Sequence, residues 1–203
     1  MADSRLVLVT GGARGLGEAP ARYFAAQGDR VVVADLQEEL GRKVAHEIEA
    51  DGGRAVYHEV DVAHENSIEL LCVAIEKTEG PIEVLVNSAG VLQNPATVAN
   101  FDLEIHDKVW EINYRGTYLA CRAVGPRMAA NGKGAIVNLC STTSYCAVPL
   151  PAYAPAKMAL LSLIMILATE LGPKGVRVNG VAPGFTLTPA IRARIESGHR
   201  DPA

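Results

Sequence analysis

The chain has 203 residues, enough for one sizeable core, and its 49% hydrophobic and 21% charged residues are the balance of a globular protein rather than a disordered one. A net charge of −4 with no long block of one sign excludes a general binder of nucleic acid or of anionic membrane surfaces. Five histidines without ligand-like spacing, and four cysteines (Cys72, Cys121, Cys140, Cys146) without a CxxC pair, exclude an evident zinc site or disulfide framework and predict reduced thiols in a cytoplasmic protein. Residues 1–5 run straight into the first predicted strand and leave no room for a secretory signal, and the longest apolar run, 158–167, is shorter than the roughly 20 residues of a membrane span.

In chain order, apolar strands alternate with helical patterns. Strands are predicted over 5–10, 30–35, 54–60, 82–87, 135–140 and 176–181, and helices over 15–27, 38–50, 65–78, 103–130 and 152–171. Unbroken Val and Leu character, as in Val31, Val32 and Val33, suits parallel strands covered on both faces. Helix stops coincide with Gly28, Gly52 and Gly53, Gly80 and Pro81, Gly132, and Gly172 and Pro173. The alternation implies an α/β fold: a doubly wound parallel sheet in a three-layer α/β/α arrangement, one domain over 1–203, with a ligand at the carboxyl ends of the strands. Pro20 falls inside the first predicted helix, close enough to its start for the damage to be small.

The first strand runs into Thr10-Gly-Gly-Ala-Arg-Gly-Leu-Gly17. A strand, a glycine-rich turn and a helix in that order form a phosphate cradle: glycine permits a tight turn and close approach, and the helix start offers unpaired N–H groups to an anion. Gly11, Arg14, Gly15, Leu16 and Gly17 are the candidate contacts. Asp35 ends the second strand about 20 residues further on, where a dinucleotide site places an acid on the adenosine ribose. Its carboxylate repels a 2′-phosphate, so NAD is favoured over NADP. Arg14 argues the other way and ranks lower, because the strand end fixes Asp35 beside the ribose.

Tyr153 and Lys157 lie at i and i+4, on one helical face. An ammonium beside a phenol is expected to lower its pKa, so that the phenolate takes a proton from a substrate alcohol and the phenol returns it to an alkoxide.

On these residues the chain resembles the short-chain dehydrogenase/reductase family, from about residue 6 to 189, with its Rossmann-like fold. The resemblance implies further roles. Asp61 and Val62 face adenine. Asn87, Ala89 and Gly90 serve the end of the fourth strand, with Ser88 where the family has a second Asn. Ser141 orients the substrate, with Ser144 as the weaker substitute, and Asn113 holds a water near Lys157. Pro183, Gly184, Thr186 and Thr188 form the turn against the nicotinamide or pyrophosphate. Asn113, Ser141, Tyr153 and Lys157 are thus the implied catalytic set. Two departures stand. Ser141 precedes Tyr153 by 12 positions where the family more often shows 13, and the chain stops at Ala203, where the family usually continues, so the segment beginning near Thr188 reads as incomplete and the sixth strand as an exposed edge.

Two readings follow. One is an NAD-linked oxidoreductase that interconverts a secondary alcohol and a ketone. The other is a catalytically weak dinucleotide binder acting through assembly or sensing. Ser144, Tyr145, Val148 and Leu150, with Leu92 and Gln93, are the candidate pocket wall. The helices over 103–130 and 152–171 are apolar on more faces than one sheet covers, and in the family such helices pair into homodimers or homotetramers.

Overall fold

A computed structural model describes residues 4–198. The expectations about the chain's first three residues and about its end at Ala203 lie outside the described residues. The elements follow in the order β1 (Leu6–Thr10), α1 (Gly15–Ala26), β2 (Arg30–Asp35), α2 (Glu38–Ala50), β3 (Arg54–Glu59), α3 (Glu65–Thr78), β4 (Val84–Asn87), α4 (Leu103–Trp110), α5 (Thr117–Ala130), β5 (Gly134–Leu139), α6 (Tyr153–Leu171), β6 (Val176–Val181) and α7 (Pro189–Glu196). The six strands form one parallel sheet in the order β3-β2-β1-β4-β5-β6. The order reverses between β1 and β4, which opens a crevice at their carboxyl ends. Among the described residues β6 is the last strand on its side of the sheet.

Alternation along the strands builds two cores. Leu6 and Leu8 of β1 point into a layer with Ile68, Leu71 and Ile75 of α3 and Leu119, Val124 and Met128 of α5. Val7 and Val9 point the other way, onto Ala21 and Ala25 of α1 and Val44 and Ile48 of α2. Each such Val or Leu removed from water contributes about 1.5–3 kcal/mol, and β1 is buried along its whole length. This burial holds the glycine turn rigidly at the end of β1. Pro20 does not break α1, which runs on to Ala26 and closes at Gly28 with φ +90°.

Two expectations change. The predicted helix over 103–130 is interrupted by one π-helical turn, Glu111–Gly116, between α4 and α5. Such a turn inserts one extra residue and frees a carbonyl from the ladder. Here side chains take up the freed groups: the Asn113 amide nitrogen donates to the Val109 carbonyl at 3.0 Å, and the Thr117 hydroxyl donates to the Asn113 carbonyl at 3.1 Å. Secondly, the run 158–167 is part of a longer helical stretch, 153–174, that is long and apolar enough to cross a membrane by length and composition, with a mean hydropathy of 1.6. Leu160 and Leu163 of that stretch pack against Cys140 at the end of β5.

Candidate active site

The carboxyl ends of the strands open into a cavity of about 1120 Å³. On one side lies the glycine turn. Gly11 has φ +67° and Gly15 φ +59°, and a Cβ on Gly11 would stand 2.5 Å from the Ala89 nitrogen, so the turn packs on the end of β4 with no room for a side chain. A Cβ on Gly17 would meet the Gly11 carbonyl oxygen at 2.1 Å. The residue before α1, Arg14, gives no side-chain cap, so the first amides of α1 are left for a ligand. Arg14, Gly15, Leu16 and Gly17 line the cavity with Ala89 and Gly90.

Asp35 does more than expected. Its Oδ2 accepts from the Ala13 amide in the turn at 3.1 Å, and its Oδ1 from the Gln37 amide at 3.0 Å. The carboxylate therefore shapes the turn while facing the cavity, and each oxygen keeps a further lone pair for a ribose hydroxyl. Asp61 lines the cavity, and its Oδ1 accepts from the Ala63 amide at 2.9 Å. Val62 lines the cavity as well, under the π turn at Gly116.

Asn87 is a correction. Its side chain is buried beneath the cavity and does not line it: the amide nitrogen donates to Asn138 Oδ1 at 2.8 Å and contacts Cys121 Sγ at 3.3 Å, and the Thr10 hydroxyl donates to Asn87 Oδ1 at 3.4 Å. It ties β1, β4 and β5 together. Ser88, where the family has a second Asn, donates through its amide to the Thr10 carbonyl at 3.1 Å and lies beneath Gly17.

The opposite wall is made by the ends of β5 and β6 and the start of α6. The Tyr153 phenol faces the Ser141 hydroxyl closely enough for Ser141 to favour the phenolate, despite the 12-residue spacing. Ser141 also accepts from the Thr143 amide at 3.2 Å and so caps the short turn Thr142–Ser144. Ser144 and Tyr145 do not line the cavity: the short turn at Thr142–Ser144 carries Ser144 inward and leaves Tyr145 68% exposed. Leu92, Gln93, Val148 and Leu150 do line it, and Cys146, Ile191 and Arg194 join them without having been picked out in sequence. Arg194 shares the short helix α7 with Arg192, and nothing in their spacing singles it out.

Lys157 is buried one turn after Tyr153 and donates to the Leu139 carbonyl at 2.7 Å. Burial pushes its pKa down to about 8. Its Nζ stands 5.7 Å from the centre of the Tyr153 ring. The expected acidification of the phenol is corrected here: in the chain without ligand, burial outweighs the Ser141 hydrogen bond and holds the Tyr153 pKa above its ordinary value. Asn113 is fully buried, and its nitrogen is spent on the Val91 and Val109 carbonyls at 3.0 Å each, which leaves Oδ1 with no partner. A Cβ on Gly90 would lie 2.7 Å from that oxygen and 3.9 Å from Lys157 Nζ, so glycine keeps the space between them open.

The Pro183 carbonyl accepts from the Thr142 amide at 3.1 Å and so links this wall to the turn after β6. Gly184, Thr186 and Thr188 follow along the cavity. Thr188 caps α7 and brings its methyl group 3.6 Å from the place of a Cβ on Gly15, at the phosphate end of the site. A glycine cradle, an uncapped helix start, a fixed acid and an unpartnered buried acceptor beside the lysine together fit a dinucleotide.

A sequence model described as "short chain dehydrogenase" matches residues 5–198. A D-threitol dehydrogenase from Mycolicibacterium smegmatis is 37% identical over 199 residues, 98% of this chain and 74% of that protein. Among solved structures, one titled as a ribose-5-phosphate isomerase from Brucella melitensis superposes with a TM-score of 0.91 at 39% identity, over 98% of this chain and 75% of that one. A gluconate 5-dehydrogenase from Burkholderia cenocepacia, solved with NADP and tartrate, gives 0.90 at 31% identity, over 96% and 76%. These titles span a dehydrogenase and an isomerase on one fold, so the reaction has to be argued from the site.

Proposed function

The chain belongs to the short-chain dehydrogenases, an oxidoreductase family, and from that premise we propose that it interconverts a secondary alcohol and a ketone with Tyr153 as general acid and base. The observation that carries the reading is the contact between Ser141 and Tyr153, with Lys157 one helical turn behind, on the same cavity as the glycine turn. A nicotinamide dinucleotide, held by Gly11, Gly15, Gly17, Asp35 and Lys157, supplies the hydride acceptor or donor. The substrate oxygen lies between the Ser141 hydroxyl and the Tyr153 phenol. Tyr153 takes the hydroxyl proton during oxidation and returns it during reduction, and Ser141 donates to the oxygen as it gains charge. The unpartnered Asn113 Oδ1 is placed to accept from a water that also reaches Lys157, a route for the proton to solvent. The approach of Ser141 to Tyr153 across the short loop favours this reading over that of a catalytically weak dinucleotide binder. Reduction of NAD or NADP by a panel of polyols, cyclic alcohols and 3-hydroxyacyl thioesters tests the reading, and binding without turnover across the panel overturns it.

NAD is the preferred cofactor in this reading. The Asp35 carboxylate is fixed by two backbone amides, and its neighbours Leu36 and Gln37 add no cation to meet a 2′-phosphate. Asp35→Ser is expected to lower the NAD-to-NADP ratio of kcat/KM by about tenfold or more. An unchanged ratio refutes the preference.

The working unit is a dimer or tetramer. Met158, Met165 and Ile166 form an exposed apolar stripe on α6, with Met165 65% exposed, on a helix whose opposite face packs on the sheet. A monomer by light scattering at micromolar concentration rejects this.

A further inference from the structure

Helix α6 carries both Tyr153 and Lys157, yet it starts without a cap of its own: Ala152 has no side-chain acceptor. The cap comes from a distant loop. Gln93, after β4 and only 5% exposed, accepts through Oε1 from the amide of Ala152 at 2.9 Å and from that of Tyr153 at 2.7 Å. Its Nε2 donates to the Asn94 carbonyl at 3.3 Å, and its own carbonyl accepts from Arg194 of α7 at 2.8 Å. Gln93 is thus held at both its side chain and its backbone.

The choice of an amide matters. A helix start carries a partial positive charge, which a carboxylate offsets and a neutral amide does not. A neutral acceptor satisfies the two N–H groups and leaves that partial charge uncancelled beside Tyr153. We propose that Gln93 is a positioning residue for Tyr153: it fixes the first residue of α6 so that the phenol meets Ser141, and as a neutral cap it keeps negative charge away from the proton-transfer position. The proposal rests on the acid–base reading of Tyr153. Among the described residues, the charged and titratable groups that face the phenol are the Cys140 thiol from the end of β5 and Lys157 from α6 itself, with the Arg194 guanidinium of α7 held on the far side of Gln93.

Two variants separate positioning from mere capping. Gln93→Glu keeps the length and the acceptor, adds a charge and gives up the donor to the Asn94 carbonyl; Gln93→Leu removes the acceptor. For Gln93→Glu the expected results are a folded protein, its melting temperature lowered by the lost Asn94 bond, and an upward shift of about half a pH unit or more in the midpoint for alcohol oxidation. The same shift is expected in the ultraviolet phenolate titration of Tyr153, read by difference against Tyr153→Phe. For Gln93→Leu, kcat falls on the order of tenfold or more while the dinucleotide KM holds. Unmoved midpoints in a folded Gln93→Glu protein overturn the proposal and leave Gln93 a structural cap. A Gln93→Glu protein that fails to fold overturns it too, since the acceptor is retained there. Should Gln93→Leu not fold, the glutamate variant decides alone. The phenolate titration needs no turnover, so a parent protein that oxidises no alcohol sinks the functional reading while leaving Gln93 still decided by the titration.

Discussion

Tyr153→Phe is expected to lower turnover about 10³-fold while dinucleotide affinity stays within a few-fold of the parent. The variant loses one oxygen atom. That oxygen faces Ser141 and can carry a proton to and from a substrate, and general acid–base catalysis contributes roughly 10²–10⁴-fold. Affinity survives because the glycine turn and Asp35 lie on the other wall. The pH dependence follows from the same burial. The phenol pKa is held above its ordinary value, so at neutral pH the group carries its proton. Alcohol oxidation needs the phenolate and therefore rises with pH, whereas ketone reduction needs the phenol and falls over the same alkaline range. Lys157 loses its ammonium near pH 8, and with it a cation that favours the phenolate, so the rise in oxidation is shallower above that pH. Initial rates in both directions, for parent and variant, check this. A variant that retains a tenth of the parent rate, or an oxidation rate that falls as pH rises, rules out Tyr153 as the acid–base group.

Gly11→Ala is expected to cost about 3 kcal/mol of stability and to weaken dinucleotide binding by about 100-fold. Two separate penalties meet at this residue. The left-handed φ of +67° costs a side-chain-bearing residue roughly 1–2 kcal/mol. The added methyl would also stand 2.5 Å from the nitrogen and 2.6 Å from the Cα of Ala89, which are backbone atoms at the end of a buried strand and have nowhere to go. The turn must move instead, and with it the amides left for the ligand. A fall in Tm of roughly 5–10 °C follows for a domain of this size. Gly28→Ala is the control. It has φ +90°, but a Cβ there meets nothing within 4 Å, so it should lose stability by strain alone and bind the dinucleotide as before. A Gly11→Ala protein that melts and binds like the parent excludes the turn as the phosphate cradle.

What was legible in the sequence was local. The glycine turn, Asp35 at a strand end, and Tyr153 with Lys157 at i and i+4 each declare their chemistry within a few residues, because backbone periodicity alone sets which groups share a face or a strand end. The order of strands and helices was legible for the same reason, and the parallel sheet follows from it. The contacts made across the chain were not legible. Asn87 turned into the core because Asn138 and Cys121, from β5 and α5, were there to receive it. Asn113 acquired its free oxygen from a π turn that no periodicity announces.

The direction of the Tyr153 shift belongs to the second kind. The sequence by itself determined which titratable groups stand one turn apart, and so which proton chemistry was available. Only the tertiary structure decided how much water reaches them: burial raises the phenol and lowers the ammonium, and the cost of desolvating a charge depends on everything packed around it and not on its neighbours in the chain.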